Sequence, residues 1–268
     1  MHKDTVKSGS FDGRVAKGKT VGGLEGRKAV VTGASRGLGR AMAVALASAG
    51  MEVVITGRDA AAMAATAGLI EAAGGSVRTR ALDVTDTTDV ERFADEVWSA
   101  GPVDVVIANA GVSLVKPAVE TTDAEFMRVI EANVLGTFAT LRSFGARMHG
   151  RGSGKLIAIS SDIGIRGSAN WVAYAASKGA INAMVKTLAW EWAPKLTVNA
   201  IAPGAFATDI NSHLLSVPEI MAAITAETPL ARVGNPSEIG PLALFLAGPG
   251  SDFMTGQIVS LDGGIQKS

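Results

Sequence analysis

Short β-branched runs alternate with alanine-rich helical stretches along nearly the whole sequence, and this alternation restricts the chain to few architectures. Lys28–Thr32 is an apolar run ending in a glycine-rich turn, and Arg40 to Gly50 follows as a helix closed by glycine. Met51–Thr56 is a second strand, and Ala60 to Ala73 a second helix ending at Gly74-Gly75. A strand near Val77–Leu82 and a helix near Thr88–Ala100 come next, then a strand at Val103–Ala108 and a long helical stretch from about Thr122 to His149. Lys155–Ser160, a helix from about Ala173 to Ala193, Thr197–Ile201 and Gln257–Leu261 complete the series. Strands separated by helices must run parallel and be joined by right-handed crossovers, with helices covering both faces. The expectation is a single doubly wound α/β domain with a seven-stranded, mostly parallel sheet.

Composition excludes several function classes. The 25 basic and 25 acidic residues cancel, which argues against a protein that grips nucleic acid or an anionic membrane. With no cysteine, a disulfide framework, a thiolate metal site and a cysteine nucleophile are all excluded. His2, His149 and His213 are the only histidines and lack metal-ligand partners at useful spacing, so no metal is expected. Residues 1–23 are polar and aperiodic, with no apolar core of a signal peptide; they read as a flexible tail ahead of a domain spanning 24–268. Charges interrupt every apolar stretch before it reaches the roughly 20 residues that span a bilayer. A cytoplasmic protein fits these features.

Thr32-Gly33-Ala34-Ser35-Arg36-Gly37-Leu38-Gly39 lies between the first strand and the first helix. There Gly33 permits a tight turn, Gly37 lets backbone approach a diphosphate, and Gly39 lets helix pack on strand. Ser35, Arg36 and Leu38 complete the cradle, and the helix N-terminus offers free N–H groups and positive potential. This context points to a dinucleotide site. A carboxylate that would hold an NAD ribose is expected at the end of the second strand, but Gly57 and Arg58 stand there. Arg36 and Arg58 suit a 2′-phosphate, favouring NADP(H) over NAD(H). The plainer reading of Arg58 is a surface ion pair with Asp59.

Taken together, these residues resemble the short-chain dehydrogenase/reductase family, from Leu24 to Gly264, and the resemblance implies a Rossmann-type fold. Besides the glycine turn, Asp83-Val84 is similar to the family's adenine-contacting pair, and Asn109-Ala110-Gly111 to its N-A-G, with Ala108 in place of the usual leading asparagine. Ser160-Ser161 precedes Tyr174-Ala-Ala-Ser-Lys178, which resembles Y-x-x-x-K. Pro203-Gly204 and Thr208 resemble the segment that closes over the nicotinamide, and Asp262-Gly263-Gly264 the terminal D-G-G. Residues four apart share a helical face, so the Lys178 ammonium can sit beside the Tyr174 phenol and favour the phenolate. Tyr174 then exchanges a proton with a substrate oxygen, Ser161 hydrogen-bonds that oxygen, and Lys178 tunes Tyr174 and, by resemblance, binds the nicotinamide ribose. The resemblance makes Asn133 the fourth member, supporting a water relay. Taken singly, Asn133 and Ser161 read as a helix-kinking polar group and a strand-end cap.

Residues 209–235 interrupt the alternation beside the carboxyl ends of the strands and read as a small lid. Arg166, Asn170 and Trp171 are expected at the pocket mouth, as is His213, for which a solvated loop position is the plainer reading. Lys116-Pro117, Ala189–Ala193, Asn199–Gly204 and Thr208–Asn211 are similar to gluconate 5-dehydrogenases, a branch acting on sugar acids and polyols. Much of this pattern is shared with 3-oxoacyl-carrier-protein reductases, which stay open as an alternative. A non-catalytic NADP(H)-binding sensor or scaffold is the third reading, disfavoured by the intact Asn133, Ser161, Tyr174 and Lys178. The family resemblance implies a homotetramer or homodimer built through the helices near 122–149 and 173–193.

Overall fold

The computed structural model describes residues 23–208 and 216–266. Seven strands form one fully parallel sheet: β1 (Lys28–Val31), β2 (Glu52–Gly57), β3 (Ser76–Ala81), β4 (Val105–Ala108), β5 (Gly154–Ile159), β6 (Leu196–Pro203) and β7 (Ile258–Leu261). Their order is β3-β2-β1-β4-β5-β6-β7. The chain works outward from β1 to β3, then returns to the other side of β1 for β4. Between β1 and β4 the winding reverses, and a crevice opens at the strands' carboxyl ends where such sheets hold ligands.

Alternate residues of the central strands feed two separate cores. On one face Val30, Val54, Val106 and Leu156 pack with α3 (Thr87–Ser99), α5 (Gly136–Arg151) and α7 (Val172–Trp192). Phe93 and Phe144 meet there edge to face at 5.6 Å. On the other face Ala29, Val31, Val53, Ile55 and Ile157 pack with α1 (Gly37–Ser48), Ile70 of α2 (Ala60–Ala72) and the helix Ile239–Ala247. Double coverage explains the continuous apolar runs of β1, β2, β4 and β5. The edge strand β3 departs from that pattern: its S-V-R-T-R-A is largely exposed, with Arg78 and Arg80 available for ion pairs.

The stretch expected as one helix from 122 to 149 is three segments. Helix α4 (Asp123–Ile130), opened by a Thr122/Glu125 capping box, runs into a π-helical turn at Glu131–Leu135 and then into α5. A further short helix, α6 (Ile163–Arg166), follows β5. Of the expected lid, Pro218–Glu227 forms helix α8, while residues 209–215, with His213, lie outside the described residues, as does the tail up to residue 22. Asp262-Gly263-Gly264 secures the end of α8: Leu230 N–H donates to Gly263 O at 3.1 Å, and the Gly264 backbone packs on Pro229.

Candidate active site

A cavity of about 680 Å³ runs along the carboxyl ends of the strands. Its first wall is the turn after β1. Gly33 and Gly37 have φ of +65° and +57°, which a residue with a side chain seldom adopts. A Cβ on Gly33 would stand 2.7 Å from Ala110 Cα, and one on Gly39 would stand 2.5 Å from Asn109 Nδ2. Asn109 ties the turn down: its Nδ2 donates to Thr32 O at 2.9 Å and to Gly33 O at 3.0 Å, while Thr32 Oγ1 accepts from the Asn109 and Ala110 N–H groups. Thr32 thus joins the expected set as a brace between the two loops. Helix α1 begins without a side-chain cap, whereas Asp59, Asp86 and Thr122 cap α2, α3 and α4. Its first residues, Gly37, Leu38 and Gly39, line the cavity, so this wall fits the diphosphate of a dinucleotide.

Arg36 and Arg58 both line the cavity, as do Ser35, Leu38, Asp83 and Val84. Gly57 stands where an acidic side chain was expected for NAD, and a Cβ there would press against Ser35 at 3.3 Å. Arg58 pairs with Asp83 at 3.7 Å rather than with Asp59, which is occupied in capping α2. The Asp83 carboxyl lies below its usual range, mainly because it accepts from the Thr85 backbone N–H, with the Arg58 guanidinium adding to the effect.

The opposite wall holds the reacting groups. Ser161 follows β5 and is 6% exposed, and Tyr174 and Lys178 rise from the first two turns of α7. Ser161 and Tyr174 both line the cavity, and Ser161 Oγ donates to Asp162 Oδ1 at 3.0 Å. The Lys178 ammonium lies 5.5 Å from the centre of the Tyr174 ring and donates to Ile159 O at 2.8 Å. Burial governs both ionisations. The phenol is pushed up to about 12 by loss of solvent, partly opposed by Ser161, and the ammonium is brought down to about 8. Loss of solvent is thus the dominant influence on both groups in the protein alone.

Asn133 sits at the centre of the π-helical turn, wholly buried and behind the cavity wall. Its side chain brackets Val112, accepting from the N–H at 2.8 Å and donating to the carbonyl at 2.9 Å, and it also reaches Ser177 Oγ. A Cβ at Gly111 would fall 2.8 Å from Asn133 Oδ1 and 3.8 Å from Lys178 Nζ, so the three positions converge. Pro203, Gly204 and Thr208 line the cavity beyond Lys178. Arg166, Asn170 and Trp171 also line it, and the Trp171 and Tyr174 rings meet at 5.3 Å. Ile220, Ile224 and Glu227 of α8 line it too, as does Asp162, a residue no motif marks, directly beside Ser161.

Comparison with known proteins decides the family. The enoyl-(acyl carrier protein) reductase family profile matches residues 33–266. The galactitol 2-dehydrogenase (L-tagatose-forming) of Cereibacter sphaeroides is 37% identical, with 92% of this chain and 97% of that one aligned. This chain is a short-chain dehydrogenase/reductase. Members of the family use a nicotinamide cofactor to oxidise alcohols or reduce carbonyls. The gluconate 5-dehydrogenase of Gluconobacter oxydans is 34% identical over 91% of this chain and 96% of its own. A crystal structure of a gluconate 5-dehydrogenase from Burkholderia cenocepacia, in complex with NADP and tartrate, superposes with a TM-score of 0.86 at 31% identity, covering 90% of this dehydrogenase/reductase and 95% of that chain. No helix among the described residues is long and apolar enough to cross a membrane.

Proposed function

We propose that this enzyme moves hydride between NADP(H) and a secondary alcohol or ketone of a sugar acid or polyol. The observation that carries the reading is the placing of Ser161, Tyr174 and Lys178 on one wall of the cavity that the glycine turn closes on the other. A bound nicotinamide supplies hydride to the carbonyl carbon, or takes it back. In reduction the Tyr174 O–H bond breaks and its proton passes to the carbonyl oxygen as the C–H bond forms; solvent then reprotonates the phenolate. Ser161 orients that oxygen, and Lys178 offsets the negative charge left on Tyr174. Asn133 fixes the Val112 backbone, and with it the loop that carries Gly111. In oxidation each proton moves in reverse.

Preference for NADP(H) is supported by Arg36 and Arg58 at the ribose end and by the missing carboxylate at Gly57. Substrate class is supported by the names of the galactitol and gluconate relatives and by the polar side chains of Arg166, Asn170 and Glu227 among the residues that line the cavity. Residues 24–268 act as one catalytic domain, with α8 part of a lid. The exposed Trp190, Met127 and Leu135 on α7, α4 and the π-helical turn suit a homotetramer contact.

A purified-protein screen of galactitol, gluconate, other polyols and a 3-oxoacyl thioester, read by nicotinamide absorbance, tests the reading. Turnover of the thioester alone would overturn the substrate class. Tyr174→Phe should lower turnover of the best substrate about 10²–10⁴-fold while NADPH still binds. Unimpaired turnover would defeat the acid/base role.

A further inference from the structure

Two loops that line the cavity are joined at one point. The loop after β4 supplies Val112, Ser113 and Val115, and the loop between α6 and α7 supplies Ser168 to Trp171. Lys116 N–H of the first loop donates to Asn170 O of the second at 2.7 Å. Asn170 has a φ of +69°, so the second loop takes a conformation that most side chains avoid at the point where it is held. The next residue, Trp171, is the N-cap of α7, and its carbonyl accepts from Ala175 N–H at 2.7 Å. Tyr174, three residues on, lies on the same side of the helix, and the two rings meet at 5.3 Å with a tilt of 58°.

The hold on the first loop comes from outside the cavity. The Lys116 ammonium donates to both carboxylate oxygens of Glu125, at 3.0 and 2.9 Å. Glu125 is itself fixed, because its Oε2 accepts from the Thr122 N–H and hydroxyl at the start of α4. Lys116 is therefore pinned twice, by its side chain to α4 and by its backbone to Asn170. Neither Lys116 nor Glu125 is among the residues that line the cavity. An ion pair whose side chains are 30% and 33% exposed adds little to overall stability, so its effect falls on where the loop sits.

We propose that Lys116, anchored on Glu125, is a positioning residue that holds Asn170 and so sets Trp171 as an aromatic wall beside Tyr174, against which the carbon chain of a polyol lays its C–H face. Between its hydroxyl groups a polyol presents C–H bonds, and the indole gives these an apolar surface. That surface stands against the Tyr174 ring, so a chain lying on it is kept next to the phenol. The inference rests on the reading of Tyr174 as acid/base and of a polyol as substrate.

Steady-state oxidation of galactitol by the full-length enzyme, at saturating oxidised cofactor, reads the wall. Trp171→Ala should raise KM about tenfold or more, and Trp171→Phe should keep it near the wild-type value. Lys116→Met should raise KM about threefold with kcat little changed, and Lys116→Arg should restore it. In the Trp171→Ala background Lys116→Met should add nothing, because it acts through that ring. Should Lys116→Met fail to fold, Glu125→Gln takes its place, its amide oxygen still accepting from Thr122 N–H. A second readout needs no substrate. Tyr174 is the only tyrosine in the chain, so its acetylation by N-acetylimidazole, followed by mass spectrometry, should quicken in Trp171→Ala and, to a lesser degree, in Lys116→Met. Any one of three results would overturn the inference: KM unmoved in Trp171→Ala, acetylation unmoved in Lys116→Met, or effects of the two substitutions that simply add. If the wild type leaves galactitol untouched, the polyol falls with the substrate class, and acetylation decides the positioning of Trp171. Unimpaired turnover by Tyr174→Phe would instead overturn the catalytic reading beneath it.

Discussion

Lys178 and Tyr174 stand one helical turn apart, with the ammonium 5.5 Å from the phenol ring, and burial moves their ionisations in opposite directions. Each group is held against its charged form, yet an ammonium titrating at about 8 stays mostly protonated at neutral pH beside a neutral phenol. On the proposed mechanism, a bound cationic nicotinamide would favour the phenolate and so link proton release from Tyr174 to the oxidised cofactor.

Stability should record the cost of burying Lys178. Its folded-state ionisation is lowered from 10.5 to about 8, so the stability linked to this group is present above about pH 10.5 and lost as pH falls through 8. Lys178→Met does not titrate there. Thermal or urea melts of both proteins should show the wild type gaining on the variant between pH 8 and 10.5, by up to about 3 kcal/mol. A pH-independent difference would contradict the assignment. Turnover should be lost in the variant at every pH.

Arg58 is 70% exposed along its side chain and only loosely engaged by Asp83, so its removal should disturb the fold little. Arg58→Ala should weaken NADPH binding about tenfold or more, the worth of a charge-assisted hydrogen bond, while NADH binding changes little. Fluorescence titration with both cofactors measures the ratio; an unchanged ratio would remove the 2′-phosphate role.

Gly33 should tolerate no side chain. In Gly33→Ala the methyl group meets Ala110 Cα at 2.7 Å, in a left-handed conformation that costs about 1–2 kcal/mol by itself. Calorimetry should show a lowered Tm and loss of the stabilisation that NADPH gives the wild type. A variant that melts and binds like wild type would show that this turn is not the cradle.

Much of this fold is legible in the sequence because parallel, doubly covered strands leave unbroken apolar runs and glycine punctuates the turns. The glycine turn, Ser161, Tyr174 and Lys178 follow from motif and context. What escapes is whatever depends on distant partners. The π-helical turn at Glu131–Leu135 is tied to Val112, 21 residues from Asn133, through a hydrogen-bonded bracket that no local pattern marks. Spacing places Lys178 beside Tyr174 but says nothing of burial, and burial decides the direction of both ionisations. Asp162 looks like an ordinary polar residue after a strand until Arg166 and Ser161 are seen on its two oxygens.

The absence of room at Gly111 has a consequence for how such an enzyme diversifies. Any side chain there would strike Asn133, so that wall offers mutation no graded steps. The opposite wall, from Ser168 to Trp171 and along α8, is largely solvent-facing and can change one residue at a time. New substrates would then be acquired by rewriting one bank of the cleft, while the other is inherited whole.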